Sequence, residues 1–160
     1  MNIEPAMLWS VRASLALLTA GFVAGSFGRR RTAARCWGGG AALMWLHVAL
    51  AMGGRHGWSH AAAVRETARQ TGDLTGLAWG GGVWVNYLFA AVWTGDAVRR
   101  VRGGGPGRIE TAVGAFLGFV AVNGAVVFAD GPARWCGAAA CGAVPAAWAA
   151  GRRQRSAGAA

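Results

Sequence analysis

Residues 111–129 read TAVGAFLGFVAVNGAVVFA: nineteen positions with one strongly polar side chain, Asn123, and apolar groups on every face. A helix of that length in water normally carries a polar stripe, so a run without one reads as a helix surrounded by lipid. Four further apolar runs stand around it, at 7–27, 37–54, 77–94 and 135–150. A crossing helix needs about 20 residues, with a lower limit near 17. The first three of these qualify, whereas 135–150 has sixteen residues and contains Pro145, so it crosses only if Pro132 or Arg134 reaches the interface.

Composition agrees with this patterning. Of 160 residues 54% are hydrophobic, and they are clumped into runs rather than spread at an amphipathic period. The mean hydropathy of +0.34 is modest because 27 glycines and sixteen arginines dilute the runs. The expected fold is all-α: a polytopic membrane helical bundle of four or five transmembrane helices, with one short amphipathic helix in a long outer loop at 55–76. Residues 1–151 form a single domain in this reading, and 152–160 a basic cytoplasmic tail. The N-terminal run is expected to stay as a helix and not to be a secretory signal, because Glu4 stands where a basic start belongs and a triple arginine follows the run.

The formal charge of +10 is carried by arginine alone, as the chain has no lysine. Nucleic-acid binding is the first reading of such a balance. The arginines instead flank apolar runs, in RRRTAAR at 29–35, RRVR at 99–102 and RRQR at 152–155, which is the pattern of membrane anchors, so no nucleic-acid partner is expected. With five spans, eleven arginines fall in alternate segments (29–35, 99–108 and 152–155) and four in the others (Arg55, Arg65, Arg69 and Arg134). Arginine-rich loops face the cytoplasm. The expected location is therefore integral to a membrane, the inner membrane of a bacterium, with the N-terminus outside and the C-terminus inside.

Tryptophan prefers the headgroup level, and Trp9, Trp37, Trp79, Trp93, Trp135 and Trp148 lie near expected span ends, with Trp45 and Trp84 deeper. Helices gain no hydrophobic drive to associate in lipid, so small residues must permit close backbone approach. The steps Gly21 to Gly25 and Gly114 to Gly118 offer such faces, either within the chain or to another membrane protein or a second copy.

Polar side chains within spans are costly and point to function. Counted from the outer end, Arg12, His47, Asn86 and Asn123 fall in one layer, roughly 8–14 Å deep at 1.5 Å per residue. Asp130 stands two turns beyond Asn123 on the same face, and Tyr87 is a neighbour. Structural glue is the competing account, because interhelical amide bonds contribute about 0.6–2 kcal/mol and Arg12 can snorkel outward. In the outer loop a break at Gly53, Gly54 and Gly57 precedes a helix from about Ser59 to Gln70, capped by Ser59. On that helix His60, Val64 and Thr67 share one side, and Glu66 is expected to pair with Arg65, Arg69 or an arginine brought from elsewhere rather than with His60.

His56 and His60 have the four-residue step of a ligand pair, and His47 is a third candidate, so a transition metal or haem is a possible cofactor. Histidines bonded to backbone or headgroups are the alternative. Cys36, Cys136 and Cys141 have no ligand spacing, and no nucleophile triad or phosphate loop is present. Three functions fit: a protein with a histidine and polar site on its outer half, a non-catalytic subunit or assembly factor of a membrane complex, and a small proton-coupled or anion transporter.

Overall fold

The frame is a helical hairpin. In a computed structural model describing residues 3–105, 107–127 and 132–157, α1 (Glu4–Ser26) and α2 (Arg30–Gly54) are joined by three residues. Gly28 turns the chain there at φ +72°, a conformation that a side chain disfavours. The remaining helices are α3 (His60–Thr75), α4 (Gly82–Val101), α5 (Arg108–Val122), a π-helical turn (Asn123–Val127) and α6 (Pro132–Ala157), with no strand among the described residues. α4 packs on α2, α5 on α4, and α6 returns to α1.

Among the described residues three helices are long and apolar enough to cross a membrane: Glu4–Ser26, Arg30–Gly54 and Arg108–Val126. The expected count of four or five is thereby reduced to three on these two criteria. α4 and α6, of 20 and 26 residues, have the length, but polar and charged side chains and many small residues dilute their apolar content. Element bounds shift too. The third run begins at Gly82, not 77: residues 80–81 form a turn, and Gly80 and Gly82 let the chain pass close against Val64 and Thr67 of α3. α6 continues through the basic segment 152–157.

Within the hairpin, Ser14 donates to the carbonyl of Gly40 at 2.8 Å, both residues being buried. A Cβ on Gly40 would stand 2.5 Å from the Trp93 ring, so glycine lets the α4 indole come close against α2. Gly21 does the same for Trp37, whereas Gly25, Gly38 and Gly118 have open space beside them. Each four-residue glycine step thus contributes one close approach: Gly21 to α2, and Gly114 to Phe22 of α1.

The core comprises Leu18, Trp37, Ala41, Met44, Phe89, Ala90, Trp93, Ala97, Leu117 and Val120. Trp37 and Trp93, expected at span ends, are its most enclosed large side chains. Both lie about two turns inside their helices, since α2 starts at Arg30 and α4 runs on to Val101. Their rings meet edge to face at 6.2 Å, with Phe22 and Phe89 completing the stack at 4.9 and 5.4 Å. Trp45 and Trp84, expected deeper, face outward.

The five long helices alternate in direction, and side-chain contacts tie their ends together. At one end Gly54 lies against Ile3, His47 bonds to Met7, Tyr87 to Met52, and Gly137 backs onto Ala125. At the other, Arg100 meets both Glu110 and Trp37, while Ser26 and Gly28 of the hairpin turn border a small cleft with Gly151 and Gln154 of α6. The arginine-bearing segments 29–35, 99–108 and 152–155 therefore converge on this second end.

Candidate functional site

A single groove of about 2620 Å³ runs along α1 and is lined by residues of every helix. Its walls are mostly apolar, among them Leu15, Phe22, Val48, Phe89, Ala121 and Val144. Of the residues singled out in the sequence, Arg12, His47, His56, Asn86 and Tyr87 border this one space. His60, Glu66 and Asn123 do not, and Asp130 lies outside the described residues.

Each of these side chains has local causes for its position. His47 Nδ1 donates to the carbonyl of Met7 at 3.0 Å, a link across the open end of the hairpin. Arg12 is exposed and lies over the equally exposed Trp9 ring, 5.4 Å from its centroid, in the manner of an interfacial cation and aromatic pair. Asn86 is exposed, at the rim of the groove. Asn123 donates to the carbonyl of Phe119 of its own helix at 2.8 Å, and among the described residues no bond from it crosses an interface. Its amide competes for a carbonyl of the α ladder, and the π turn begins at the same residue.

The outer helix is built much as its pattern dictates. Ser59 caps it by accepting from Ala62 N at 3.2 Å, and Gly76 ends it at φ +76°, five residues beyond the expected Gln70. The side shared by His60, Val64 and Thr67 is the one laid on α4. Val64 meets Gly80, Thr67 meets Gly82, and the His60 ring stacks on Tyr87 at 5.8 Å and leans on Trp84 at 4.8 Å. With the Tyr87 hydroxyl proton directed at Met52 Sδ (3.7 Å), its oxygen accepts from His60 Nδ1 at 3.3 Å.

On the opposite side Glu66 binds Arg69 at 2.8 Å, and Arg69 also reaches Asp73 at 2.8 Å. The hydrogen bond from Arg69, followed by burial acting in the opposite sense and Arg69's charge, sets the Glu66 carboxyl at about 2 against an ordinary 4.5, while the same pair raises Arg69. A depressed carboxylate contributes stability in full above its unfolded value and loses it as pH falls through the folded one. Hydrogen-exchange protection of α3, corrected for intrinsic rate, is thus expected to hold steady above pH 4.5 and to fade between about 4.5 and 2. Protection already halved at pH 5 would contradict this assignment.

His47 is bonded to α1 and His60 to α4, and among the described residues no group of three His, Cys, Asp or Glu side chains could hold a metal ion. His56 and His60 do not share one helical face, because α3 begins only at His60, after Gly57 at φ +53° and Trp58 at φ +60°.

A buried ionic cluster escaped the sequence reading altogether. The Asp96 carboxylate, fully enclosed, accepts from Arg99 Nε at 2.6 Å and Arg100 Nε at 2.7 Å. Arg100 also binds Glu110 at 2.9 Å and lies 4.2 Å over the Trp37 ring, so one guanidinium ties α2, α4 and α5 together. Arg99 reaches on to the carbonyl of Gly105 at 2.9 Å and sets the loop. The three- and four-residue steps from Asp96 to the two arginines were the available signal, masked by ending the third apolar run at 94. No protein-family model matches this chain, and neither a curated protein nor a solved structure does.

Proposed function

We propose that this is an integral membrane protein that binds an amphipathic, lipid-like molecule along the groove beside α1. The observation that carries the reading is the groove itself: about 2620 Å³, mostly apolar, with polar side chains at both ends. Drug-sized ligands occupy about 300–1,000 Å³, so the occupant is longer than a small metabolite. Protein interiors are close-packed, and an apolar space this large is filled by whatever the surroundings supply. In a bilayer those are acyl chains.

In this reading α1, α2, α4, α5 and α6 all cross, with α4 and α6 accommodated because their polar side chains lie at their ends or on neighbouring helices. The arginine-bearing end faces the cytoplasm of a bacterial inner membrane, and α3 lies at the outer headgroup level, with Trp58, Leu74, Leu77 and Trp79 exposed around it. His47, His56, Asn86 and Tyr87 supply hydrogen-bonding groups at the outer end.

Gly118 lines the groove and has nothing within 4 Å of where a Cβ would stand, so Gly118→Phe adds a ring to the groove without displacing a neighbour at its root. Solvent extraction and mass spectrometry of detergent-purified protein should find retained lipid in the wild type and at least about fivefold less in this variant, given about 0.8 kcal/mol for each methylene it keeps from burial. Equal retention by both proteins would end the reading.

A further inference from the structure

The inner mouth of the groove has a charge of its own. Arg30 and Arg31 line it from the first turn of α2, where the helix dipole is already positive and no acidic side chain stands. Arg100 contributes there too, its charge met by Asp96 and Glu110. Gly103, Gly104 and Gly105 border the same opening and leave it free of side chains. At the opposite end the groove is lined by Arg12, which lies over the face of Trp9, and by Arg55, while Arg69 pairs with Glu66 and Asp73 away from it.

We propose that this mouth seats the headgroup of an anionic glycerophospholipid from the arginine-side leaflet, with its acyl chains lying in the groove. The inference rests on the lipid-like occupant proposed above and names its class and its direction. Basic pockets between helices on the cytoplasmic side are suited to such headgroups, and the negative potential of that leaflet concentrates them there. Length agrees as well. Ser26 and Arg12 both line the groove, and the fourteen residues between their levels rise roughly 21 Å, more than the roughly 15 Å of hydrocarbon in one leaflet. A chain entering at Arg30 and Arg31 is therefore accommodated over its full length.

The test is native mass spectrometry of the full chain in detergent, titrated in parallel with phosphatidylglycerol, phosphatidylethanolamine and glycerol 3-phosphate. Wild type should prefer phosphatidylglycerol to phosphatidylethanolamine and should not bind glycerol 3-phosphate alone. The Arg30→Gln, Arg31→Gln double variant should lose about thirtyfold of phosphatidylglycerol affinity, about fivefold per arginine, while keeping its binding of phosphatidylethanolamine. An unchanged preference in that variant overturns the headgroup site and leaves the groove standing. Gly118→Phe should weaken both lipids, and if it binds both as wild type does, the groove reading itself fails. Should the arginine variant not fold, salt decides with wild type: between about 0.01 and 1 M the Debye length shrinks from about 30 to 3 Å, and the preference must shrink with it. A salt-independent preference, or binding of glycerol 3-phosphate as tight as that of the lipid, overturns the proposal.

Discussion

Replacing Asp96 by alanine is expected to cost about 3–5 kcal/mol of stability, the range for removing one partner of a buried ion pair. Its carboxylate is wholly enclosed and serves two arginines at 2.6 and 2.7 Å. Once it is gone, Arg100 keeps Glu110, but Arg99 keeps only a carbonyl, with one of its terminal nitrogens already buried and unpartnered. Asp96→Asn should be nearly as damaging, because the amide turns a donor toward one of two guanidinium groups that can only donate. A double replacement, Asp96→Leu with Arg99→Leu, should recover at least half of the loss, since a buried pair exchanged for apolar side chains is often neutral. Thermal unfolding in detergent, read by tryptophan fluorescence, measures all three. A loss below about 1 kcal/mol in the alanine variant would show that the cluster is solvated and not structural.

The second large effect is expected at Trp93. Truncation to alanine should cost about 3–5 kcal/mol, as for other buried aromatic side chains, because the ring fills the space between Gly40, Trp37 and Phe89 and α2 cannot close over the void. Trp135, about three-quarters exposed on α6, should cost within about 0.5 kcal/mol when truncated in the same way. Trp93→Phe should fall between the two, since it loses area but also removes an indole N–H that is buried without a partner. If Trp93→Ala and Trp135→Ala melt alike, the packing of α4 against α2 is not what holds the bundle.

Both effects concern residues that the linear pattern assigned to a membrane boundary or to a turn. Tryptophan near the end of an apolar run is chemically the same whether it faces headgroups or a neighbouring helix. What separates Trp93 from Trp135 is a glycine on another helix, and Gly40 is 53 positions away from Trp93 in the chain. In the same way, Asp96 reads as a loop acid until α4 is seen to continue to Val101 and to bring Glu110 and Trp37 around Arg100.

What the chain determined by itself is local and repetitive: helices wherever apolar runs of sufficient length occur, the cap at Ser59, the grouping of His60, Val64 and Thr67 on one side of α3, and Arg69 among the candidate partners of Glu66. Those features depend on neighbours within four residues, which the order of side chains specifies directly. The tertiary structure alone decided which polar groups share a space. It opened one groove to Arg12, His47, His56, Asn86 and Tyr87, turned Asn123 back onto its own helix, and left His60 outside that groove, bonded to Tyr87. Equal depth along a helix axis says nothing about rotation around it. That rotation is set by where glycines let neighbouring backbones and indoles approach, as Gly21 does for Trp37 and Gly40 for Trp93.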